Sequence, residues 1–69
     1  MITLNQIREK LIDAINRSGK SYTQIAREIG VTQQTVSQYI HNNKMPALDT
    51  FANLCKVLDL DANDILCIE

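Results

Sequence analysis

Residues 22–41 read YTQIAREIGVTQQTVSQYIH, and within them two short apolar periodicities flank the tripeptide Gly30-Val31-Thr32. In the first, Ile25, Ala26 and Ile29 recur at helical spacing, Ser21 and Gln24 form a capping pattern ahead of them, and Gly30 supplies a left-handed residue behind. This predicts a helix over 22–29. In the second, Thr32 caps a helix over 33–41 that carries Val36, Tyr39 and Ile40 on one side, and Asn42-Asn43 end it because Asn tolerates positive φ. Two helices so short, joined by so tight a turn, must cross closely and steeply. A small residue is required at the crossing and Ala26 stands there, while Ile25, Ile29, Val31, Val36 and Tyr39 fall at inward positions.

The same signals extend outward in both directions. Thr3 and Gln6 make a capping box, after which Leu4, Ile7, Leu11, Ala14 and Ile15 keep one face apolar until Ser18-Gly19, predicting a first helix over 4–17. Beyond the break at Pro46, Leu48, Phe51, Ala52, Leu54, Cys55 and Leu58 predict a fourth amphipathic helix, with Cys55 in the core. Asp61 then caps a last short helix carrying Ile65 and Leu66. No alternating period-2 run marks a strand, and no internal repeat or linker is present, so the fold class is all-α: five short helices in one domain spanning 1–69.

Length and composition bound what such a chain can be. With 69 residues, 22% charged and 45% hydrophobic, two Gly and one Pro, it reads as one compact soluble domain. No apolar run approaches the roughly 20 residues that cross a bilayer, and the N-terminus lacks a basic stretch followed by an apolar block, which excludes a membrane partner and places the chain in the cytoplasm. Cys55 and Cys67 are then reduced thiols rather than a disulfide. A single His and no C-x-x-C leave no metal site, and no cofactor or small-molecule ligand is evident. A Gly-rich phosphate loop and an activated nucleophile are both missing, so no catalytic residue is assigned and the chain is not read as an enzyme. The net charge of −1 conceals an asymmetry: residues 1–46 sum to +3 and the remainder to −4, so the N-terminal part would face an anion.

The third helix carries the functional signal. Placing residues at about 100° intervals, Gln33, Ser37, His41, Gln34 and Gln38 share one polar arc, with Tyr39, Val36 and Ile40 opposite. The outward arc is amide-rich and uncharged, unlike the Lys/Glu mixture of an ordinary solvated helix. A Gln amide sets a donor beside an acceptor, matching N6 and N7 of adenine in the DNA major groove, and one such pair is worth about 1–3 kcal/mol of discrimination.

The order Ile25-Ala26-x-x-Ile29-Gly30-Val31-Thr32 followed by Val36 resembles the helix-turn-helix of phage repressor and Cro proteins, the Xre family. The resemblance covers nearly the whole chain, including Pro46 and the closing pattern Leu48-x-x-Phe51…Leu54…Leu58-x-Leu60-x-x-x-Asp64-Ile65-Leu66. It implies a lambda-repressor-like fold and a sequence-specific transcriptional regulator, a repressor that binds a palindromic double-stranded DNA operator as a homodimer. By that resemblance Gln33, Gln34, Ser37 and Gln38 read bases, with an A·T-leaning operator, and Ser21, Tyr22, Thr32, Asn43 and Lys44 contact phosphates. Lys20 and Arg17 would add long-range attraction, and the apolar residues Leu60, Ile65, Ile68 and Phe51 would meet the partner subunit.

The chain departs from the family at two places. Tyr22 stands where Gln is usual, and Ile40-His41-Asn42 where Glu-Asn-Gly is common, with Asn42 expected to take the left-handed place of the glycine. Tyr22 therefore has two readings, a phosphate contact or a ring covering the core edge. His41 either touches DNA or complements the helix C-terminus, and Lys44 either holds a phosphate or is a solvated loop cation. A rival function is a protein-interaction module of the same fold, binding a toxin or a polymerase subunit. Affinity that falls steeply as salt rises distinguishes the DNA reader from it.

Overall fold

A computed structural model describes residues 1–68 of the chain. Its elements in order are α1 (Leu4–Arg17), α2 (Tyr22–Ile29), α3 (Gln33–His41), α4 (Leu48–Val57) and α5 (Ala62–Ile65), with no strand among the described residues. The helices start where short polar side chains satisfy the otherwise unpartnered N–H groups of a first turn. Thr3 and Gln6 form a full capping box, with the Thr3 hydroxyl accepting from the Gln6 N–H and the Gln6 side chain from the Thr3 N–H. Ser21 accepts from the Gln24 N–H, Thr32 from Thr35 and Asp61 from Asn63. Only α4 begins without a side-chain cap, at Ala47.

Left-handed residues end most of these helices. Gly30, at φ +78°, turns the chain so that the Val31 N–H donates to the Ala26 carbonyl at 3.0 Å. After α3 the left-handed residue is Asn43 (φ +58°), not Asn42, which stays at φ −117°. The expected position was thus one residue early: the Asn42 N–H still donates to the Gln38 carbonyl as the helix cap, and the chain reverses only at Asn43. Asp59 and Cys67 take the same conformation after α4 and α5.

Leu11, Ile15, Ile25, Ala26, Ile29, Val36, Tyr39, Leu54 and Ile65 form one core drawn from all five helices. Helix α2 packs on α3 and α4, and α1 on α5. Tyr22, Val31 and Ile40 seal its edge from the two central helices. Several expected inward residues lie elsewhere. Cys55 is half-buried, Ala52 is exposed, and Leu4 and Leu48 project into solvent at 69% and 87% exposure, because each sits in the first turn of its helix, beyond the reach of the core. Ile65 is 3% exposed and fills the core, so it cannot meet a partner subunit.

Gly30 carries the turn through its backbone alone. A Cβ built there meets nothing within 4 Å, so Gly30→Ala should cost about 1–2 kcal/mol from the left-handed φ. Gly30→Asn should cost less, because Asn hydrogen-bonds locally in that region. Urea unfolding of both variants tests this; equal losses would contradict a purely conformational cost.

A second expectation concerns alkaline pH. Burial, and secondarily Asp49, holds the Tyr39 phenol above its ordinary 10.0, and burial with Asp61 holds the Cys55 thiol above 9.0. The unfolded chain loses these protons first, so stability is complete below pH about 9 and falls as pH climbs through the raised values. Tyr39→Phe should flatten the fall in urea midpoint above pH 10 by its share, and an unchanged slope would dismiss the phenol as its source.

Candidate nucleic-acid interface

The tight elbow of α2 and α3 decides which side of α3 faces out. With Val36 and Tyr39 sunk in the core, the opposite arc is presented outward: Gln33 and Gln34 are fully exposed in the first turn, and Ser37 and Gln38 half-exposed one turn on. Gln33, Gln34, Ser37 and Gln38 thus share one ridge with His41, as the periodicity indicated. No carboxylate stands on that helix.

The residues expected at phosphates flank this ridge on two sides. At the start of α2, the Ser21 Oγ accepts from the Gln24 N–H at 3.1 Å and keeps its own hydrogen to donate. The first-turn N–H groups of α2 point the same way and add the positive end of the helix dipole. Tyr22 is half-buried against the core, its ring edge-on to His41 with centroids 6.5 Å apart. That contact ties the start of α2 to the end of α3, and sequence separation hid it. The Thr32 hydroxyl is occupied within the protein, accepting from the Thr35 N–H at 3.1 Å and sharing a 2.9 Å bond with the Thr35 hydroxyl.

Beyond the other end of α3, Asn43 and Lys44 are exposed. The Lys44 N–H donates to the Gln38 carbonyl at 3.3 Å, and its Nζ approaches the Gln38 Oε1 at 3.4 Å. This coupling between a loop cation and a ridge amide also lay outside any helical spacing rule.

Electrostatics sort the cations of the N-terminal part. Lys20 Nζ lies 2.9 and 3.2 Å from the two carboxylate oxygens of Glu28, and this half-buried pair neutralises it. Arg17 pairs with Asp13 at 3.1 Å, and Lys10 with Asp64 at 3.6 Å. The long-range attraction expected from Lys20 and Arg17 is therefore largely cancelled at its source. Arg8, Arg27 and Lys44 make no salt bridge among the described residues. Of these, only Lys44 adjoins the ridge through an observed contact.

Among the described residues no group of His, Cys, Asp and Glu is arranged to hold a metal, and no helix is long and apolar enough to cross a membrane. Comparison with known proteins returns neither a curated relative nor a solved structure. A family model described as helix-turn-helix matches residues 6–65, a span that takes in the core of α1, the elbow, the ridge and the closing pair α4–α5. That extent, with the left-handed Gly30 turn and the outward polar ridge it positions, makes the chain a member of the Cro/C1-type helix-turn-helix family, a DNA-binding regulatory domain.

Proposed function

We propose that the protein is a sequence-specific transcriptional regulator that represses by occupying a palindromic operator, bound as a homodimer in the major groove. The observation that carries this reading is the exposed amide ridge of α3, uncharged, with Thr32 at its start and Tyr22, Asn43 and Lys44 about its end. Gln33 and Gln34 enter first, at the N-terminal end of the reading helix, with Ser37 and Gln38 following one turn later. Neutral amides specify bases but release few counterions, so phosphate contacts must hold the protein in register. Ser21 and the start of α2 supply one such clamp, and Asn43 and Lys44 the other. Tyr22 stands at the start of α2 and Thr32 at the start of α3, each with a hydroxyl that donates to a phosphate, that of Thr32 when the Thr35 hydroxyl supplies the hydrogen of their shared bond.

Two copies are needed because one presents so few unpaired cations. The surface best suited to join them is an apolar groove of about 210 Å³ lined by Leu4 and Ile7 of α1, Met45 and Pro46 of the loop after α3, Leu48 and Phe51 of α4, and Leu66. No charged side chain lines it, so a second copy meets no like-charge cost there. Of the residues expected at the subunit contact, this groove retains Phe51 and leaves out Leu60, Ile65 and Ile68. Because Met45 to Leu48 follow the reading helix directly, a two-fold contact here sets the two α3 helices on either side of the axis. The molecule measures 33 × 24 × 21 Å, so two copies in contact centre about 21–33 Å apart, the upper end of which approaches the ~34 Å turn that separates half-sites. Burying Leu4 and Leu48 on both copies yields about 1.5–3 kcal/mol per side chain. Association costs about 4–15 kcal/mol. The free dimer is therefore weak, and operator DNA completes it.

Selection from randomised duplexes tests the whole reading, and should enrich a two-fold symmetric consensus whose affinity falls steeply with salt. Absence of any consensus would refute it. Gln33→Ala should cost about 1–3 kcal/mol on the selected site and relax preference at one position per half-site, whereas equal loss on every sequence would remove base reading from Gln33. Leu48→Glu, at an exposed position, should change folding stability by no more than about 0.5 kcal/mol. It should also abolish the concentration-dependent mass seen by sedimentation; a variant that still dimerises like the parent would move the interface elsewhere.

A further inference from the structure

We propose that Lys44 is a positioning residue for base recognition: it holds the Gln38 side chain with its carbonyl turned back toward the protein, so that Gln38 faces DNA with its amide hydrogens foremost. The inference deepens the operator-reading function and rests on it.

Three observations place Lys44 over Gln38. Asn43, in the left-handed region at φ +58°, reverses the chain after α3. The Lys44 N–H then donates to the Gln38 backbone carbonyl at 3.3 Å, a carbonyl already holding the Asn42 N–H at 3.0 Å. From that anchor the Lys44 ammonium reaches the Gln38 Oε1 at 3.4 Å. No carboxylate competes for it, since Lys44 takes part in no salt bridge among the described residues.

The consequence follows from the donor inventory. An ammonium carries three donors and no acceptor, so it attracts the amide oxygen and repels the amide NH₂. The sign of that difference fixes which way the amide faces, even with the contact at the long end of hydrogen-bond range. Reading adenine through N6 and N7 requires a Gln to present its oxygen and nitrogen together. The oxygen keeps a second lone pair, but with the ammonium on the first and the carbonyl turned inward Gln38 presents its hydrogens to an accepting edge, guanine N7 and O6 or thymine O4, in preference to adenine. Gln33 and Gln34 make no side-chain hydrogen bond among the described residues and keep both functions free. The three amides of one ridge are therefore not equivalent readers. The two remaining ammonium hydrogens of Lys44 stay available to a phosphate.

Selection from randomised duplexes with the parent and Lys44→Met tests this, because the Met stem preserves length and removes the ammonium. At the half-site position assigned to Gln38 by a Gln38→Ala selection, Lys44→Met should shift preference from guanine or thymine toward adenine by about five-fold or more, leaving other positions unchanged. The same change in a Gln38→Ala background should shift nothing at that position. In the free protein, Lys44→Met should also displace the Gln38 side-chain amide resonances in a ¹⁵N–¹H spectrum. Uniform weakening on all sequences, with the consensus intact, would leave Lys44 a phosphate contact alone and overturn the inference while sparing the DNA-reading function. A parent protein that enriches no consensus would overturn both.

Discussion

The structure depends on how closely α2 can approach α3. Ala26 lies buried at the crossing and Gly30 turns the chain in a conformation that costs other residues about 1–2 kcal/mol. With the separation fixed, Ile25, Ile29, Val36 and Tyr39 can all reach one core together with Leu11, Ile15, Leu54 and Ile65 from the flanking helices. Because Val36 and Tyr39 cannot leave that core without opening it, the rotation of α3 about its axis is settled by packing. The amides on its far side are thereby turned to solvent by packing, and of the three Gln38 alone has a further side-chain contact among the described residues, with Lys44.

Local rules made the helices legible. Each of the four polar caps, Thr3, Ser21, Thr32 and Asp61, stands where a run of apolar spacing begins, and Gly19 and Gly30 mark two of the stops by the residue that takes positive φ most readily, whereas Asn43, Asp59 and Cys67 take it without being glycine. The ridge followed from periodicity once α3 was bounded. What escaped was long-range or depended on where an element ends relative to the core. Leu4 and Leu48 have helical spacing like that of Leu11 and Leu54, but lie a turn beyond the packed region. The exchange between Asn42 and Asn43 turns on which of two equivalent residues ends the last turn, and composition does not distinguish them. Tyr22 with His41 and Lys44 with Gln38 meet only because the fold brings their segments together.

Charge counts along the chain also overstate what the surface offers an anion. The +3 of residues 1–46 is real, but Lys20 is held by Glu28, Arg17 by Asp13, and Lys10 by Asp64 from the acidic C-terminal part. Exposed pairs such as Arg17 with Asp13 contribute little to folding, about 0–1 kcal/mol, yet they still cancel the far field of their cations. The cations of residues 1–46 left without a salt bridge among the described residues are consequently Arg8, Arg27 and Lys44, of which Lys44 touches the ridge.

A reader built this way favours discrimination over adhesion. Phosphate contacts raise affinity for every sequence alike, whereas amide pairs with base edges act only on the right one. Keeping cations few and neutralised lowers the non-specific background, and the ratio between operator and random DNA is then carried by the ridge. The cost is low absolute affinity for one domain. Under the proposed function, two-fold doubling through the uncharged apolar groove would restore it without adding non-specific charge, since a second domain would contribute fully only where a second half-site lies in register. Weak free association is then an advantage, because a dimer stable in isolation would bring both sets of phosphate contacts to any sequence, while one completed on DNA is selected by the operator itself.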